Sequence, residues 1–257
     1  MQSVLKNFDL TGRTALITGS SQGLGFALAR GLAEAGASLV LNGRDEKKLA
    51  VAADGLRSEG AKVTTAAFDV NDAAGIAREV SRIETEFAPI DILVNNAGIQ
   101  RRAPLAEMKE QQWREVLDTN LTSAFLVTRQ VAPRLIARRS GKIINTCSLM
   151  SEVCRPSTGN YAAAKGGLKM LTRAMATEWA QHNLQINGLG PGYFLTELTR
   201  PLAENAEFDR WIRQRTPAGR WGDPKELVGA TVFLASAASD FVNGQVIYVD
   251  GGLLAAI

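Results

Sequence analysis

The sequence predicts an α/β chain built on one parallel sheet of about seven strands, with helices covering both faces. Three observations lead there. Short β-branched apolar runs alternate with amphipathic helical stretches along all 257 residues. The runs are apolar on both alternating faces, as strands buried from two sides must be. Glycines, amides and charged residues collect immediately after the runs, where an open parallel sheet binds its ligands.

Residues 14–17 form the first expected strand, which runs into Thr18-Gly-Ser-Ser-Gln-Gly-Leu-Gly25 and a helix closed by Gly36. Residues 38–41 are the second strand. Asn42-Gly43-Arg44 separates it from a helix over 45–60, with Asp45 as its cap. The third strand, 63–68, ends at Asp69, and Asn71 or Asp72 caps the helix that follows. The fourth, 90–94, ends in Asn95-Asn96-Ala97-Gly98. One long helix is then expected from about Glu110 to Arg139. Trp113, Val116, Leu117, Leu121, Ala124 and Val131 mark its buried face, and Asn120 falls on that face. Residues 142–146 are the fifth strand, leading to Ser148, a polar loop and a small-residue helix carrying Tyr161 and Lys165. That helix has an apolar stripe of Ala164, Leu168, Leu171, Met175 and Trp179. Strand six, 185–189, precedes Gly190-Pro191-Gly192 and an irregular, partly helical insert over about 193–223. A helix from Pro224 and a last strand, 245–249, complete the chain. No shift in composition marks a boundary, so residues 1–257 read as one domain. Right-handed crossovers make it a doubly wound, Rossmann-type sheet.

Composition removes several function classes. The net charge is +3 and the basic residues are interspersed with acidic ones, so a nucleic-acid groove is not expected. No apolar run is long enough to span a bilayer. MQSVLKNFDLTGR lacks the apolar region of a signal peptide, which points to the cytoplasm. Cys147 and Cys154 are expected as reduced thiols. His182 is the single histidine and reads as a surface or cap residue. No zinc site of the usual ligand types, and no metal, is therefore expected, and Ser148 is not expected to be a histidine-activated nucleophile.

Tyrosine and lysine are the proton-handling groups that remain. Tyr161 and Lys165, four residues apart, share a helix face. The ammonium should pull the phenol pKa below its usual value of about 10, giving an acid or base near neutral pH. An ordinary core tyrosine beside a solvent lysine is the other reading of that spacing. The Gly19-Gly23-Gly25 loop follows a strand and opens a helix, the context of a phosphate-binding turn; simple helix-on-strand packing would also ask for glycines. After the second strand, Asn42, Gly43 and Arg44 leave room for a ribose 2′-phosphate and supply a guanidinium. A charge-assisted contact of that kind is worth about 1.5–3 kcal/mol, so NADP(H) is favoured over NAD(H). Asn120 must bond to something, whether a backbone carbonyl, a structural water or a functional water chain, because an unpartnered buried amide costs about 1–3 kcal/mol.

T-G-x-x-x-G-x-G, N-N-A-G, an asparagine in the fourth helix, a serine before Y-x-x-x-K, and P-G followed by Thr196 together resemble the short-chain dehydrogenases/reductases over nearly the whole chain. The resemblance implies that Tyr161 is the general acid for carbonyl reduction and the base for alcohol oxidation. Lys165 would lower its pKa and hold the nicotinamide ribose, Ser148 would bond the reacting oxygen, and Asn120 would carry a proton-relaying water. Gly19, Gly23 and Gly25 would surround the pyrophosphate, Asp69 would meet the adenine, Asn96, Ala97 and Gly98 would floor the site, and Thr196 would bond the carboxamide. Ser21, Leu24, Asn42, Arg44, Val70, Pro191 and Gly192 complete the expected NADP(H) contacts. NNAGIQRR, GPGYFLTELT and the stretch from RTPAGRW to VDGG look like the gluconate 5-dehydrogenase group of that superfamily, whose substrate is a small sugar acid. Arg101 or Arg102, with Arg102 preferred, is placed to bind a carboxylate, although a solvated surface pair would look the same. Glu152 could face polyol hydroxyls or a bridging cation, or could simply be a solvated loop glutamate. Reductases of deoxy-ketogluconate or of 3-oxoacyl carrier protein, and a non-catalytic NADP(H) sensor, are the rival readings. The family also implies a homotetramer, to which the stripe on the Tyr161 helix and the terminal GGLLAAI could contribute buried surface, although the sequence equally permits an intramolecular core.

Overall fold

The computed structural model describes residues 3–197 and 199–256. Its centre is one seven-stranded parallel sheet in the order β3-β2-β1-β4-β5-β6-β7. The strands are β1 Thr14–Ile17, β2 Ser38–Gly43, β3 Val63–Ala67, β4 Ile92–Asn95, β5 Gly141–Thr146, β6 Leu184–Pro191 and β7 Val246–Val249. Chain order reverses between β1 and β4, so the crevice above their carboxyl ends is the place for a ligand.

The helices are α1 Gly23–Glu34, α2 Glu46–Ser58, α3 Ala73–Glu86, α4 Glu110–Leu117, α5 Ser123–Arg138, α6 Gly159–Trp179, α7 Arg200–Ala203, α8 Ala206–Arg215 and α9 Val228–Ala235. They cover both faces of the sheet with two separate cores. Leu28 and Leu32 of α1, Leu49 and Leu56 of α2 and Leu234 of α9 pack on one face. Ile76, Val80 and Ile83 of α3, Val127, Val131 and Leu135 of α5 and Met175 of α6 pack on the other. Asp45 caps α2 by accepting from the backbone N–H of Lys47 and Lys48, and Asp72 rather than Asn71 caps α3.

Three expectations change. The long helix of residues 110–139 is not continuous: Asp118–Thr122 form a π turn between α4 and α5. Its cause is Asn120, whose amide bonds the backbone of Ile99 in both directions at 2.8 Å. Reaching that segment widens the helix by one residue, as single π turns at functional positions do. Trp113 is 37% exposed and does not belong to the buried face. Of the two readings of the α6 stripe, the intramolecular one fits, with Ala164, Leu168 and Met175 buried against this chain's own sheet. The helix from Pro224 is broken into a 3-10 turn, α9 and a second 3-10 turn, and Ile257 lies outside the described residues.

Candidate active site

The glycine loop between β1 and α1 is locked to its neighbours by buried polar side chains. Gly19 has φ +62°, and a Cβ there would meet the Cα of Ala97 at 2.9 Å, so only glycine fits. Its N–H donates to Asn42 Oδ1, while Asn42 Nδ2 donates to the carbonyls of Ala66 and Phe68 at 3.0 and 3.1 Å. Asn96 Nδ2 donates to the carbonyls of Thr18 and Gly19, and the Thr18 hydroxyl accepts from the N–H of Asn96 and Ala97. The amides of Asn42 and Asn96 are therefore spent on shaping the loop and have little left for a cofactor. The opening of α1 is different. Gln22 makes no side-chain capping bond, and a Cβ on Gly23 would meet nothing within 4 Å. Free N–H groups at the start of a 12-residue helix, behind a glycine open to the crevice, suit a pyrophosphate.

Arg44 stands at the end of β2 with its side chain 76% exposed and its nearest carboxylate, Asp69, at 3.7 Å. An exposed pair of this kind is worth about 0–1 kcal/mol, less than the 1.5–3 kcal/mol of a charge-assisted phosphate contact, so Arg44 can turn to a 2′-phosphate. Asp69 also accepts from the N–H of Asn71 at 2.9 Å.

A cavity of about 990 Å³ runs from this loop across the strand ends, at the upper end of the size of preformed small-molecule sites. Every residue assigned above to the cofactor lines it, and so do Ser148 and Arg102. Asn120 and Glu152 do not. Thr196 lines it, but its hydroxyl is engaged with the Thr199 hydroxyl at 3.1 Å rather than directed to a ligand.

The proton-handling group is held from two sides. Asn145 of β5 donates to the Thr172 hydroxyl of α6 at 2.8 Å, and Ser151 donates to the carbonyl of Lys165 at 2.9 Å. Ser148 caps a 3-10 turn over Leu149–Ser151, its hydroxyl accepting from the N–H of Met150. Lys165 Nζ donates to the carbonyl of Thr146 at 2.6 Å and lies 5.6 Å from the Tyr161 ring centroid. Burial lowers the Lys165 pKa to about 8. The expected depression of the Tyr161 pKa is not found. Burial raises it, and the Ser148 hydroxyl only partly offsets that. Lys165 is aimed at Thr146, so desolvation of the phenol outweighs its field. Near neutral pH the pair is a neutral phenol with an ammonium behind it. The Thr146 hydroxyl, buried and without a partner, is a cavity-lining group that sequence reasoning missed, because nothing in its strand pattern distinguishes it.

At the other end of the cavity the two arginines part company. Arg101 Nε donates to Glu115 at 3.1 Å and its Nη1 to the carbonyl of Gln100. Arg102 lines the cavity and has no carboxylate partner among the described residues. Glu152 does not reach the site. It pairs with Lys169 and accepts from the Tyr248 hydroxyl at 2.6 Å, because the turn after Ser148 directs it toward α6 and β7. His182 sits in the 3-10 turn after α6, outside the cavity wall. Among the described residues no three His, Cys, Asp or Glu side chains come together as a metal site.

A family model described as enoyl-(acyl carrier protein) reductase matches residues 19–254, nearly all of this fold and the whole site. The chain belongs to the short-chain dehydrogenase/reductase superfamily. Within it, the chain is similar to the gluconate 5-dehydrogenase of Gluconobacter oxydans (strain 621H), 52% identical over 250 residues that cover 97% of this chain and 98% of that protein. It is equally similar to a 2-dehydro-3-deoxy-D-gluconate 5-dehydrogenase of Formosa agariphila, 52% identical over 252 residues covering 97% and 96% of the two chains. Among solved structures, a gluconate 5-dehydrogenase from Burkholderia cenocepacia J2315 in complex with NADP and tartrate superposes with a TM-score of 0.97. It is 52% identical, with 99% of this chain and 100% of that one covered. This short-chain dehydrogenase/reductase keeps the order of motifs of its superfamily: glycine loop, Asn-Asn-Ala-Gly, Ser148 and the Tyr161–Lys165 helix.

Proposed function

We propose that the chain is an NADP(H)-dependent oxidoreductase that interconverts D-gluconate and 5-keto-D-gluconate. The observation that carries the substrate class is Arg102, a cavity-lining guanidinium without a carboxylate partner, on the same cavity as Ser148 and Tyr161. A sugar acid supplies the missing anion. Arg44 and the open start of α1 support the cofactor, and the Burkholderia relative was solved with NADP.

Bound NADPH would supply the hydride. The Ser148 and Tyr161 hydroxyls hold the substrate carbonyl oxygen, and Tyr161 gives that oxygen its proton as negative charge develops. Lys165, fixed by the Thr146 carbonyl, stabilises the phenolate that results, and its ammonium would hold the nicotinamide ribose of a bound cofactor. Asn120 holds the turn at Ile99 that precedes Arg101 and Arg102, and a water near the π turn would relay a proton to Lys165. For alcohol oxidation the same groups act in reverse. Trp113, Phe125 and Met170, exposed on α4, α5 and α6, support burial between copies in a homotetramer. The assembly belongs in the cytoplasm; among the described residues no helix is long and apolar enough to cross a membrane.

The Formosa relative favours a second reading, 2-dehydro-3-deoxy-D-gluconate as the substrate. NADPH oxidation with 5-keto-D-gluconate and with a 3-oxoacyl thioester, and NADP+ reduction with 2-dehydro-3-deoxy-D-gluconate, whose 5-hydroxyl is the group a 5-dehydrogenase oxidises, separate these. Turnover with 5-keto-D-gluconate no faster than without substrate would remove the first reading. Turnover with any of them excludes a non-catalytic sensor.

A further inference from the structure

Arg155, in the loop after Ser148, is not used by the chemistry above. Its guanidinium lies 4.6 Å from the centroid of the Phe208 ring on α8. Phe208 is stacked on Trp211 and meets Tyr193 edge-on at 5.9 Å, and Tyr193 lines the cavity. The segments bearing Arg102 and Arg155 are joined directly. The N–H of Ala103 donates to the carbonyl of Ser157 at 3.2 Å, and Asn160 Nδ2 donates to the carbonyl of Arg101 at 2.9 Å. Ser157 adopts φ +67°, a conformation disfavoured for serine, to make this junction. Burial, and then the like charge of Arg155, push the Arg102 pKa down. Neither arginine has a carboxylate partner among the described residues. Arg102 lines the cavity; Arg155 does not, but its segment is bonded to that of Arg102 and its guanidinium rests on Phe208, which packs on cavity-lining Tyr193. Two cations without an anion therefore stand behind and at that end of the site.

We propose that Arg155 is a specificity-determining residue that completes, with Arg102, a two-arginine clamp for the substrate carboxylate, and that Phe208 of the insert is the platform that holds it there. The proposal deepens the sugar-acid reading and rests on it. It also gives the insert a task. By carrying Phe208, α8 sets the distance between a substrate's charged end and its reacting carbonyl at Ser148 and Tyr161.

The test compares 5-keto-D-gluconate with L-sorbose, which has the same carbon skeleton with a hydroxymethyl group in place of the carboxylate. Steady-state NADPH oxidation is measured for the wild type and for Arg155→Ala, Arg155→Lys and Phe208→Leu. In Arg155→Ala, kcat/KM for the keto acid should fall about 10- to 100-fold, through KM, with L-sorbose and NADPH little affected. Arg155→Lys should recover part of the selectivity because the charge returns without the planar face. Phe208→Leu should lose several-fold through the lost cation–π contact. An equal fall for both ketones would make Arg155 merely structural and overturn the clamp. Unchanged selectivity in Arg155→Ala, with a wild type that prefers the keto acid, would overturn the clamp and leave the sugar-acid reading standing. A wild type indifferent to the carboxylate would overturn both.

Discussion

Replacing Lys165 by methionine should abolish turnover while leaving the cofactor-free fold at least as stable as the wild type near neutral pH. The ammonium is 4% exposed and its pKa is lowered from 10.5 to about 8 by burial. A depression of that size corresponds to about 3 kcal/mol of stability forgone at pH 7, at 1.36 kcal/mol per unit. Against it stands the bond from Nζ to the Thr146 carbonyl, whose loss costs about 1–3 kcal/mol. The two nearly cancel at pH 7, but only the first depends on pH. The unfolded lysine binds its proton more tightly than the folded one, so the penalty shrinks as pH rises through 8 towards 10.5. Between pH 7 and 9 the wild type should therefore gain about 1 kcal/mol relative to Lys165→Met, or about 2–4 °C in Tm for a chain of this size. Thermal melts of both proteins at matched pH give the difference directly, and alkaline effects common to both cancel. A difference that stayed flat, or moved against the wild type, would refute the buried-ammonium account.

Four further outcomes are expected. Tyr161→Phe should bind NADPH normally, by fluorescence titration, and lose about 10²- to 10⁴-fold in turnover; near-wild-type rates would mean another proton donor. In pH–rate profiles, reduction should decline above about pH 8 as Lys165 loses its proton, whereas oxidation should rise with pH as the Tyr161 phenol becomes easier to ionise; a reduction rate climbing from pH 7 to 9 would contradict this. Arg44→Ala should raise KM for NADPH about 10- to 100-fold and leave NADH unaffected, which initial rates with the two cofactors would check. Arg102→Ala should raise KM for the keto acid strongly while Arg101→Ala changes it little, because Glu115 already holds Arg101; the reverse order would reassign the carboxylate contact.

The periodicity of the sequence was enough to place all seven strands, since buried parallel strands are continuous apolar runs whose ends are marked by glycine, amide or charge. Site residues at those ends were legible for the same reason: Gly19, Arg44, Asp69 and Ser148 follow strands and Pro191 ends one, so they meet the crevice. What lay beyond reach was anything decided by side-chain direction across long separations. The break at Asp118–Thr122 depends on Asn120 finding Ile99, 21 residues earlier. Glu152 shares a loop with Ser148, yet Tyr248 and Lys169 draw it away from the cavity. Arg155 shows no motif and becomes notable only when Phe208 arrives beneath it from the insert.

The Tyr161–Lys165 pair shows most clearly where local reasoning stops. Spacing on a helix correctly brings the two onto one face, and an ammonium beside a phenol in water would lower the phenol pKa. In the folded chain both groups are desolvated, and burial acts on them in opposite directions, raising the tyrosine and lowering the lysine. The tyrosine therefore stays protonated near neutral pH and has a proton to give, although the raised pKa makes it a weaker acid, while the lysine proton becomes easier to lose. A ketone is therefore the substrate for which this arrangement stands ready near neutral pH, and an alcohol needs alkaline conditions or the field of a bound cofactor to draw the phenol down. How readily the pair gives or takes a proton at a given pH thus depends on the depth at which β5 and α6 hold these two side chains, a quantity that their sequence spacing does not contain.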